Sequence, residues 1–141
     1  METVNSKKQR ILILGGGFGG IHTVRDLCKK GSELLDITLI TNKDYFEYYP
    51  ALYRIVTGAS PIEVCVPLAD VIPNKVRVLI DPVLSVDIVK KEVYTESGAV
   101  HSYDTLVVAL GSETTYFNIP GLQELSLGFK SIPTSHFSTT F

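Results

Sequence analysis

Short apolar runs and one amphipathic segment make up the first forty residues of the chain. Residues 10–14 (RILIL) form an apolar run that ends at a glycine cluster, which predicts a strand buried on both faces of a parallel sheet. Residues 19–30 place apolar side chains every three or four positions before Gly31 and predict a helix. Residues 36–40 (DITLI) predict a second strand. This order predicts a strand–helix–strand unit of about the 30 residues that a βαβ crossover needs.

Further strand patterns occupy the second half of the chain. Residues 75–80 alternate in polarity and residues 105–110 are apolar, so both segments predict strands. Between them lie three shorter strand candidates that predict an antiparallel meander, at residues 83–89, 92–95 and 99–103. We expect the strands near 10–14, 36–40, 75–80 and 105–110 to form the parallel sheet.

Aromatic residues dominate the segment after the second predicted strand. Four aromatic side chains lie between Asp44 and Pro50, and they either wall a ligand pocket or anchor a loop on the core. Only for Tyr49, which precedes Pro50, does the pattern favour the ligand role. Short helical turns are predicted at residues 51–56 and 68–72.

Composition and charge exclude several classes of protein. The 141 residues correspond to about one domain. The 13 Lys and Arg against 15 Asp and Glu give a net charge of −2, which argues against broad electrostatic binding of nucleic acid. Two separated cysteines and three scattered histidines predict no metal site and no redox dithiol. Since no signal peptide or transmembrane pattern is present, we expect a cytoplasmic protein, with peripheral attachment to the cytoplasmic membrane left open.

The glycine cluster has a spacing with a specific physical meaning. Gly15, Gly17 and Gly20 match the G-x-G-x-x-G pattern between a strand and a helix. The first glycine allows a tight turn, the second lets a pyrophosphate approach the backbone, and the third lets the helix pack closely on the strands. The free N–H groups at the start of the helix then bind the phosphates. We therefore predict dinucleotide binding, and the alternative is a glycine-rich structural turn.

The end of the second predicted strand departs from the usual dinucleotide pattern. An acidic residue that binds the adenosine ribose is expected there, but this chain has Thr41, then Asn42 and Lys43. Thr41 can make one hydrogen bond to the ribose. Lys43 keeps NADP open as a ligand, although a solvated loop charge is the favoured interpretation. The aromatic segment and the meander that follow favour the FAD-binding half of a two-dinucleotide flavoprotein over a plain NAD domain.

Three motifs, in the order ILILGGGFGG, TLITNKDYFEYYPALYRIVTG and YDTLVVALGSETTYFNIPG, resemble the amino-terminal FAD domain of type II NADH dehydrogenases. These enzymes belong to the pyridine nucleotide-disulfide oxidoreductase superfamily, and the resemblance covers residues 9–130. It implies an α/β fold of the FAD/NAD(P)-binding, Rossmann-like type, here truncated, with a parallel sheet, a crossover helix and an antiparallel β-meander. We expect residues 1–8 to be a flexible amino terminus and the Ser/Thr-rich residues 131–141 to be a disordered tail.

The resemblance also implies which residues hold the FAD. The pyrophosphate would lie on the glycine turn, at Gly15, Gly16, Gly17, Phe18, Gly19 and Gly20. The ribose would lie beside Thr41, Asn42 and Lys43, and the adenine near Pro82 and Val83. The Tyr49-Pro50-Ala51 turn would approach the isoalloxazine side, and Ala109, Leu110, Gly111 and Ser112 would follow a strand that ends beside the cofactor. No catalytic acid or base is assigned, because the flavin carries the chemistry.

The activity implied by the resemblance is transfer of a hydride from NADH to FAD, followed by reduction of a quinone. No second glycine fingerprint for an NADH domain is present, so we expect the chain by itself to be inactive. Sulfide:quinone oxidoreductases resemble this domain too, but their chemistry needs cysteines after Cys65, where this chain has none. An NAD(P)-binding Rossmann domain and a truncated, non-enzymatic fragment are the alternatives. Assembly into a homo-oligomer also stays open.

Three remaining side chains have predicted structural roles. Cys28 is expected to pack as a small apolar residue on the helix. His22 lies in the first turn of that helix, where a surface or packing role is favoured over contact with the cofactor. His101 is expected on the solvent face of the meander.

Overall fold

The computed structural model of the chain describes residues 8–31 and 33–126, which divide into two compact units. The first unit comprises residues up to Phe46 and Pro67–Gly111, and the second comprises Glu47–Val66 and the residues from Ser112 onward. The predicted tail at residues 131–141, and all but the last residue of the predicted amino-terminal segment 1–8, lie outside the described residues.

Nine strands and four helices occur in the described residues. In chain order they are β1 (Gln9–Leu14), α1 (Phe18–Lys29), β2 (Leu35–Thr41), β3 (Tyr45–Glu47), α2 (Tyr53–Val56), β4 (Cys65–Pro67), α3 (Leu68–Val71), β5 (Arg77–Ile80), β6 (Val83–Asp87), β7 (Glu92–Thr95), β8 (Val100–Ser102), β9 (Thr105–Val108) and α4 (Leu122–Leu125).

A four-stranded parallel sheet with the order β5-β2-β1-β9 forms the centre of the first unit. These are the four strands predicted near residues 10–14, 36–40, 75–80 and 105–110, and α1 is the predicted crossover helix between β1 and β2. The register places Ile11 of β1 between Ile37 of β2 and Thr105 of β9. The α/β class and the parallel sheet predicted from the sequence are therefore confirmed.

Alternating side chains of β1 and β2 bury both faces of this sheet. On one face Ile13 and Leu39, each 0% and therefore fully buried, pack with Ile21 and Val24 of α1. Helix α3 adds Leu68 to the same cluster. The continuous apolar runs in the sequence thus arise because helices cover this face while other elements cover the opposite one.

The opposite face of the sheet is covered by the antiparallel meander. Strands β6, β7 and β8 pair in that order, as predicted from their turns. Leu14 and Ile40 from the sheet form a buried cluster with Val93 of β7 and with Tyr103. The first unit therefore has a helix layer, a parallel sheet and a meander layer.

The second unit is smaller and contains α2, α4 and two 3₁₀ turns at Tyr49–Ala51 and Pro61–Glu63. Leu52 and Val64 are its buried apolar residues, at 4% and 1% exposure. Gly58 follows α2 in a left-handed conformation, with φ +96°. This glycine follows the helical turns predicted at residues 51–56, and its left-handed conformation is typical of a residue just beyond a helix end.

The structure differs from the sequence prediction at β3, which lies in the aromatic segment, and at β4, which was not predicted as a strand. These strands form a two-stranded sheet, and the Tyr48 N–H donates to the Val64 carbonyl at 2.8 Å. Each strand is only three residues long, so neither produces a period of two that is long enough to recognise. Among residues 8–31 and 33–126, no helix is long and apolar enough to cross a membrane.

Candidate dinucleotide site

Two glycines of the turn between β1 and α1 are required by backbone packing. Gly15 has φ +105°, donates its N–H to the Ile40 carbonyl at 2.8 Å, and lies so close to Ala109 that a Cβ would overlap the Ala109 carbonyl oxygen. A Cβ on Gly20 would overlap the Gly15 carbonyl oxygen. These contacts fit the roles expected for the first and third glycines of the pattern, a tight turn and close packing of the helix.

The middle glycine of the pattern lies in a different environment. Gly17 begins α1, and a Cβ placed on it would meet no atom within 4 Å. Its backbone is extended, with φ −84°, so packing and conformation would both admit a larger residue there. The first turn of α1, fully within the described residues, contains no acidic side chain, and its backbone N–H groups lack partners within the helix. Open space beside a helix amino terminus suits an anionic group such as a pyrophosphate.

Thr41 is the last residue of β2 and packs directly against the glycine turn. A Cβ on Gly16 would lie 2.7 Å from the Thr41 hydroxyl oxygen. Thr41 is 6% exposed, and its hydroxyl accepts a long hydrogen bond from the Lys43 N–H at 3.4 Å. Asn42 is exposed. The structure therefore places the residue that replaces the usual ribose-binding acid against the second residue of the turn.

Lys43 differs from the solvated loop charge that the sequence favoured. It is half-buried, and its ammonium group lies 5.4 Å from the centre of the Tyr45 ring, within range of a cation–π contact. An aromatic residue two positions from a lysine in the sequence was the available signal for this contact.

Pro82 and Val83 lie next to the end of β2. The Asp81 N–H donates to the Thr41 carbonyl at 2.8 Å, so the chain leaves β5 beside Thr41. On the other side, the Pro82 carbonyl accepts a hydrogen bond from the Glu96 N–H at 2.9 Å. The segment 109–111 also reaches this edge, because Ala109 donates to the Leu14 carbonyl at 2.8 Å.

The structure thus brings together most of the predicted cofactor residues at the carboxyl ends of the parallel strands. This edge is where open α/β sheets bind their ligands. The residues are Gly15, Gly16, Gly17, Phe18, Gly19, Gly20, Thr41, Asn42, Lys43, Pro82, Val83, Ala109, Leu110 and Gly111. The remaining four, Tyr49, Pro50, Ala51 and Ser112, belong to the second unit. Within that unit Tyr49 and Pro50 are exposed, and Ala51 packs on the Leu52–Val64 cluster.

Beside this edge the structure contains a polar cluster that the sequence did not predict. The Asp81 carboxylate accepts hydrogen bonds from the Ser97 N–H at 3.1 Å and from the Ser97 hydroxyl at 2.5 Å. The Ser97 hydroxyl and then the Thr95 hydroxyl are the main causes that hold the pKa of Asp81 below its usual 3.8, and the nearby His101 also lowers this pKa. The serine and the aspartate are 16 residues apart, so no sequence spacing could have revealed the pair.

The three structural side chains have different outcomes. His101 stands opposite Val93 in the β7–β8 register and shares its face, and since Val93 is fully buried, the predicted solvent face is wrong. A histidine in a strand only three residues long has no period that decides its face. The His22 side chain is 79% exposed and lies 3.5 Å from Asp26. Cys28 packs against the α1 side of the core, which agrees with its predicted role.

A model of one protein family matches residues 9–136 of this chain, and that family is described as pyridine nucleotide-disulphide oxidoreductase. The chain belongs to this family. The resemblance stated from the three motifs is confirmed, because curated relatives include type II NADH:quinone oxidoreductases.

Two relatives show the extent of the similarity. A demethylphylloquinone reductase from Synechocystis is 33% identical over 137 residues, which covers 89% of this chain and 33% of the relative. A type II NADH:quinone oxidoreductase from Staphylococcus haemolyticus is 33% identical over 131 residues, which covers 91% of this chain and 32% of the relative. The chain therefore spans about a third of the length of the relatives that it matches.

The fold is shared with a solved sulfide:quinone oxidoreductase from Aquifex aeolicus. The TM-score is 0.76 at 30% sequence identity, over 87% of this chain and 29% of that structure. The resemblance to sulfide:quinone oxidoreductases that the sequence predicted is therefore seen in the fold as well. Family membership and this structural neighbour support FAD as the cofactor of this chain.

Proposed function

We propose that this chain forms the FAD-binding part of a flavin-dependent NAD(P)H dehydrogenase that passes electrons from NADH, through FAD, to a quinone. Family membership supports the oxidoreductase class. The names of both relatives contain a quinone, and one also contains NADH, which supports the donor and the acceptor. A location in the cytoplasm, peripheral to the membrane that holds the quinone, is part of the same proposal.

One structural observation carries this proposal. Gly17 faces open space at the amino terminus of α1, while Gly15 and Gly20 have no room for a side chain. A purely structural glycine turn would explain Gly15 and Gly20, but it does not require a glycine at position 17. A pyrophosphate that approaches the backbone does require one.

The residues of the first unit would hold the dinucleotide in separate parts. The backbone of residues 15–20 would bind the pyrophosphate, Thr41 and Asn42 would lie beside the ribose, and the Pro82–Val83 backbone would face the adenine. A bound FAD would supply the hydride-acceptor and electron-transfer chemistry, while these residues would supply orientation and electrostatics. No proton-transfer residue is assigned, because these contacts would be made mostly by backbone groups and short side chains.

FAD retention by the purified chain tests the proposal directly. The chain is incubated with FAD, desalted, and measured by visible absorbance. A retained flavin band, from a protein with the expected circular dichroism, supports the proposal. A folded chain without the band, but with a melting temperature raised by NADPH, would favour the NAD(P)-binding alternative. No shift with any dinucleotide would favour the non-enzymatic fragment.

Gly17→Ala provides a sharper test of the same site. Because a Cβ at this position meets open space, the substitution should cost at most about 1 kcal/mol of stability. FAD affinity should fall by about tenfold or more, since the methyl group occupies the space proposed for the pyrophosphate. Melting temperature and FAD titration on the same preparation measure the two effects. Unchanged FAD affinity would contradict the placement of the pyrophosphate.

A further inference from the structure

The connection between β5 and β6 is held by hydrogen bonds on both sides. The Asp81 N–H donates to the Thr41 carbonyl at 2.8 Å, and the Pro82 carbonyl accepts from the Glu96 N–H at 2.9 Å. Pro82 has no N–H and a nearly fixed φ, so it cannot donate a hydrogen bond or relax by rotation about φ. The corner at Asp81–Pro82 therefore joins the edge of the parallel sheet to the turn between β7 and β8.

The Asp81 side chain adds hydrogen bonds between this corner and the turn between β7 and β8. Its carboxylate accepts from both the backbone and the hydroxyl of Ser97, at 3.1 and 2.5 Å. The Ser97 hydroxyl oxygen also lies 3.4 Å from the Ala99 N–H, which donates to it, and the Gly98 N–H donates to the Thr95 carbonyl at 3.0 Å. A single carboxylate thus binds a turn that is itself internally ordered.

The contacts continue from this corner to the glycine turn. Thr41 receives the Asp81 N–H through its carbonyl and packs its hydroxyl against Gly16. Ser97, Asp81, Thr41 and Gly16 therefore form a continuous chain of contacts along the carboxyl edge of the sheet. The meander, which lies outside the βαβ unit, is connected by this chain to the place where a dinucleotide would lie.

We infer that Asp81 is a positioning residue for nucleotide binding, which holds the Pro82–Val83 backbone in the conformation that recognises the adenine base. The inference rests on the proposed function, because it assumes a dinucleotide at this edge. Asp81 acts through Pro82 and Val83, and does not itself touch the nucleotide. Its loss leaves the glycine turn intact but lets the corner and the β7–β8 turn move apart.

The chain offers a matched control in the same meander. Asp87 also accepts two hydrogen bonds that order a turn, from the N–H groups of Val89 and Lys90 at 3.0 and 2.9 Å. That turn joins β6 to β7, at the opposite end of these strands from the β7–β8 turn that Asp81 binds. Asp87→Asn therefore makes the same substitution as Asp81→Asn at another turn of the meander, away from the corner at Pro82.

The experiment measures binding of FAD, ADP and IDP to the wild-type chain and to four variants. The variants are Asp81→Ala, Asp81→Asn, Ser97→Ala and Asp87→Asn, each with its melting temperature. Asp81→Ala should weaken FAD and ADP by about tenfold, because the competent conformation of the corner becomes a minor state. Asp81→Asn keeps an oxygen acceptor and should recover part of the loss, and Ser97→Ala should resemble it. Asp87→Asn should lower the melting temperature and leave the affinities unchanged.

The ratio of ADP to IDP affinity separates positioning from a general structural role. ADP and IDP differ only in the base, so a corner that recognises adenine gives a ratio above one in the wild type. Asp81→Ala should bring this ratio close to one, whereas general destabilisation lowers both affinities and leaves the ratio unchanged. A wild-type ratio of one, an unchanged ratio in Asp81→Ala, or an equal loss in Asp87→Asn would each overturn the inference. If the wild-type chain binds neither FAD nor ADP, the proposed function itself has failed.

Discussion

At the scale of single residues, two glycines have the strictest steric requirements at the candidate site. A Cβ on Gly15 or on Gly20 would overlap a backbone carbonyl oxygen, which belongs to Ala109 and to Gly15 respectively. Both residues directly follow strands of the parallel sheet and are hydrogen-bonded to it, so their backbone atoms cannot move aside as the end of a flexible side chain can. Packing at this turn is thus determined by main-chain atoms, while the ligand role of the turn depends on Gly17.

Gly20→Ala is expected to destabilise the fold strongly. The added methyl group must push α1 away from β1, and overpacking of this kind costs about 1–3 kcal/mol or more. Urea unfolding measures the loss, with Gly17→Ala as the control because the same methyl group meets open space there. Equal stability of Gly20→Ala and wild type would show that the helix can shift freely.

Residue-scale electrostatics predict a dependence on pH at Asp87. Hydrogen bonds from Lys90 and Val89, together with the charge of Lys90, hold the pKa of Asp87 below its usual 3.8. A carboxyl whose pKa is lower in the folded than in the unfolded state stabilises the fold above the unfolded value, and this contribution disappears as the pH falls through the folded value.

Asp87→Asn should therefore be less stable than the wild type at pH 7, and the difference should vanish well below pH 3.8. Urea unfolding at both pH values measures it. A difference that persists at low pH would mean that the asparagine changes the turn for a reason other than charge.

At the scale of elements, α1 is held against the sheet by a few fully buried side chains. Val24 is 0% exposed and packs with Ile13 and Leu39, which are also fully buried. The helix has a glycine at its amino terminus with no side-chain capping hydrogen bond. Its stability therefore comes from packing, as for most helices of this length.

Val24→Ala should reduce the free energy of unfolding by about 2 kcal/mol, since it removes two methyl groups and leaves a cavity. Val89→Ala is a matched control, because Val89 is 95% exposed and the same change there should stay within about 0.5 kcal/mol. Equal effects of the two substitutions would contradict the packing of α1 described above.

At the scale of the whole molecule, β9 is an edge of the described parallel sheet. It pairs with β1 on one side, and within residues 8–31 and 33–126 no strand pairs with it on the other. Its sequence, TLVV, contains no charge, proline or bulge, which are the features that protect edges from association. Val108 in this strand is 62% exposed.

Val108→Lys should reduce association of the purified chain, because a charge on an edge strand opposes pairing with another edge. Light scattering over a range of protein concentrations measures this, with Val89→Lys as the control, because Val89 is exposed in the turn between β6 and β7 and belongs to no strand. An equal reduction by Val89→Lys would show that added charge, and not the edge, explains the effect.

Prediction from the sequence was most successful where a long apolar run or a glycine has only one physical interpretation. The runs at β1, β2 and β9 indicate strands buried on both faces, and the spacing of Gly15, Gly17 and Gly20 indicates a βα turn. It failed where elements are three residues long, as at β3, β4 and the face of His101. Such elements are determined by the partners that they meet, which a local pattern does not contain.

The sequence by itself therefore determined the βαβ unit, the four parallel strands and the glycine turn, because these depend on side-chain period and on backbone freedom at particular residues. Only the tertiary structure decided that Gly17 faces open space while Gly20 does not, since this depends on which atoms lie opposite each position. The contact of Asp81 with Ser97 was likewise decided by the packing of the meander on the sheet. Hydrogen bonds between distant residues follow from the fold, and their partners cannot be identified from local spacing.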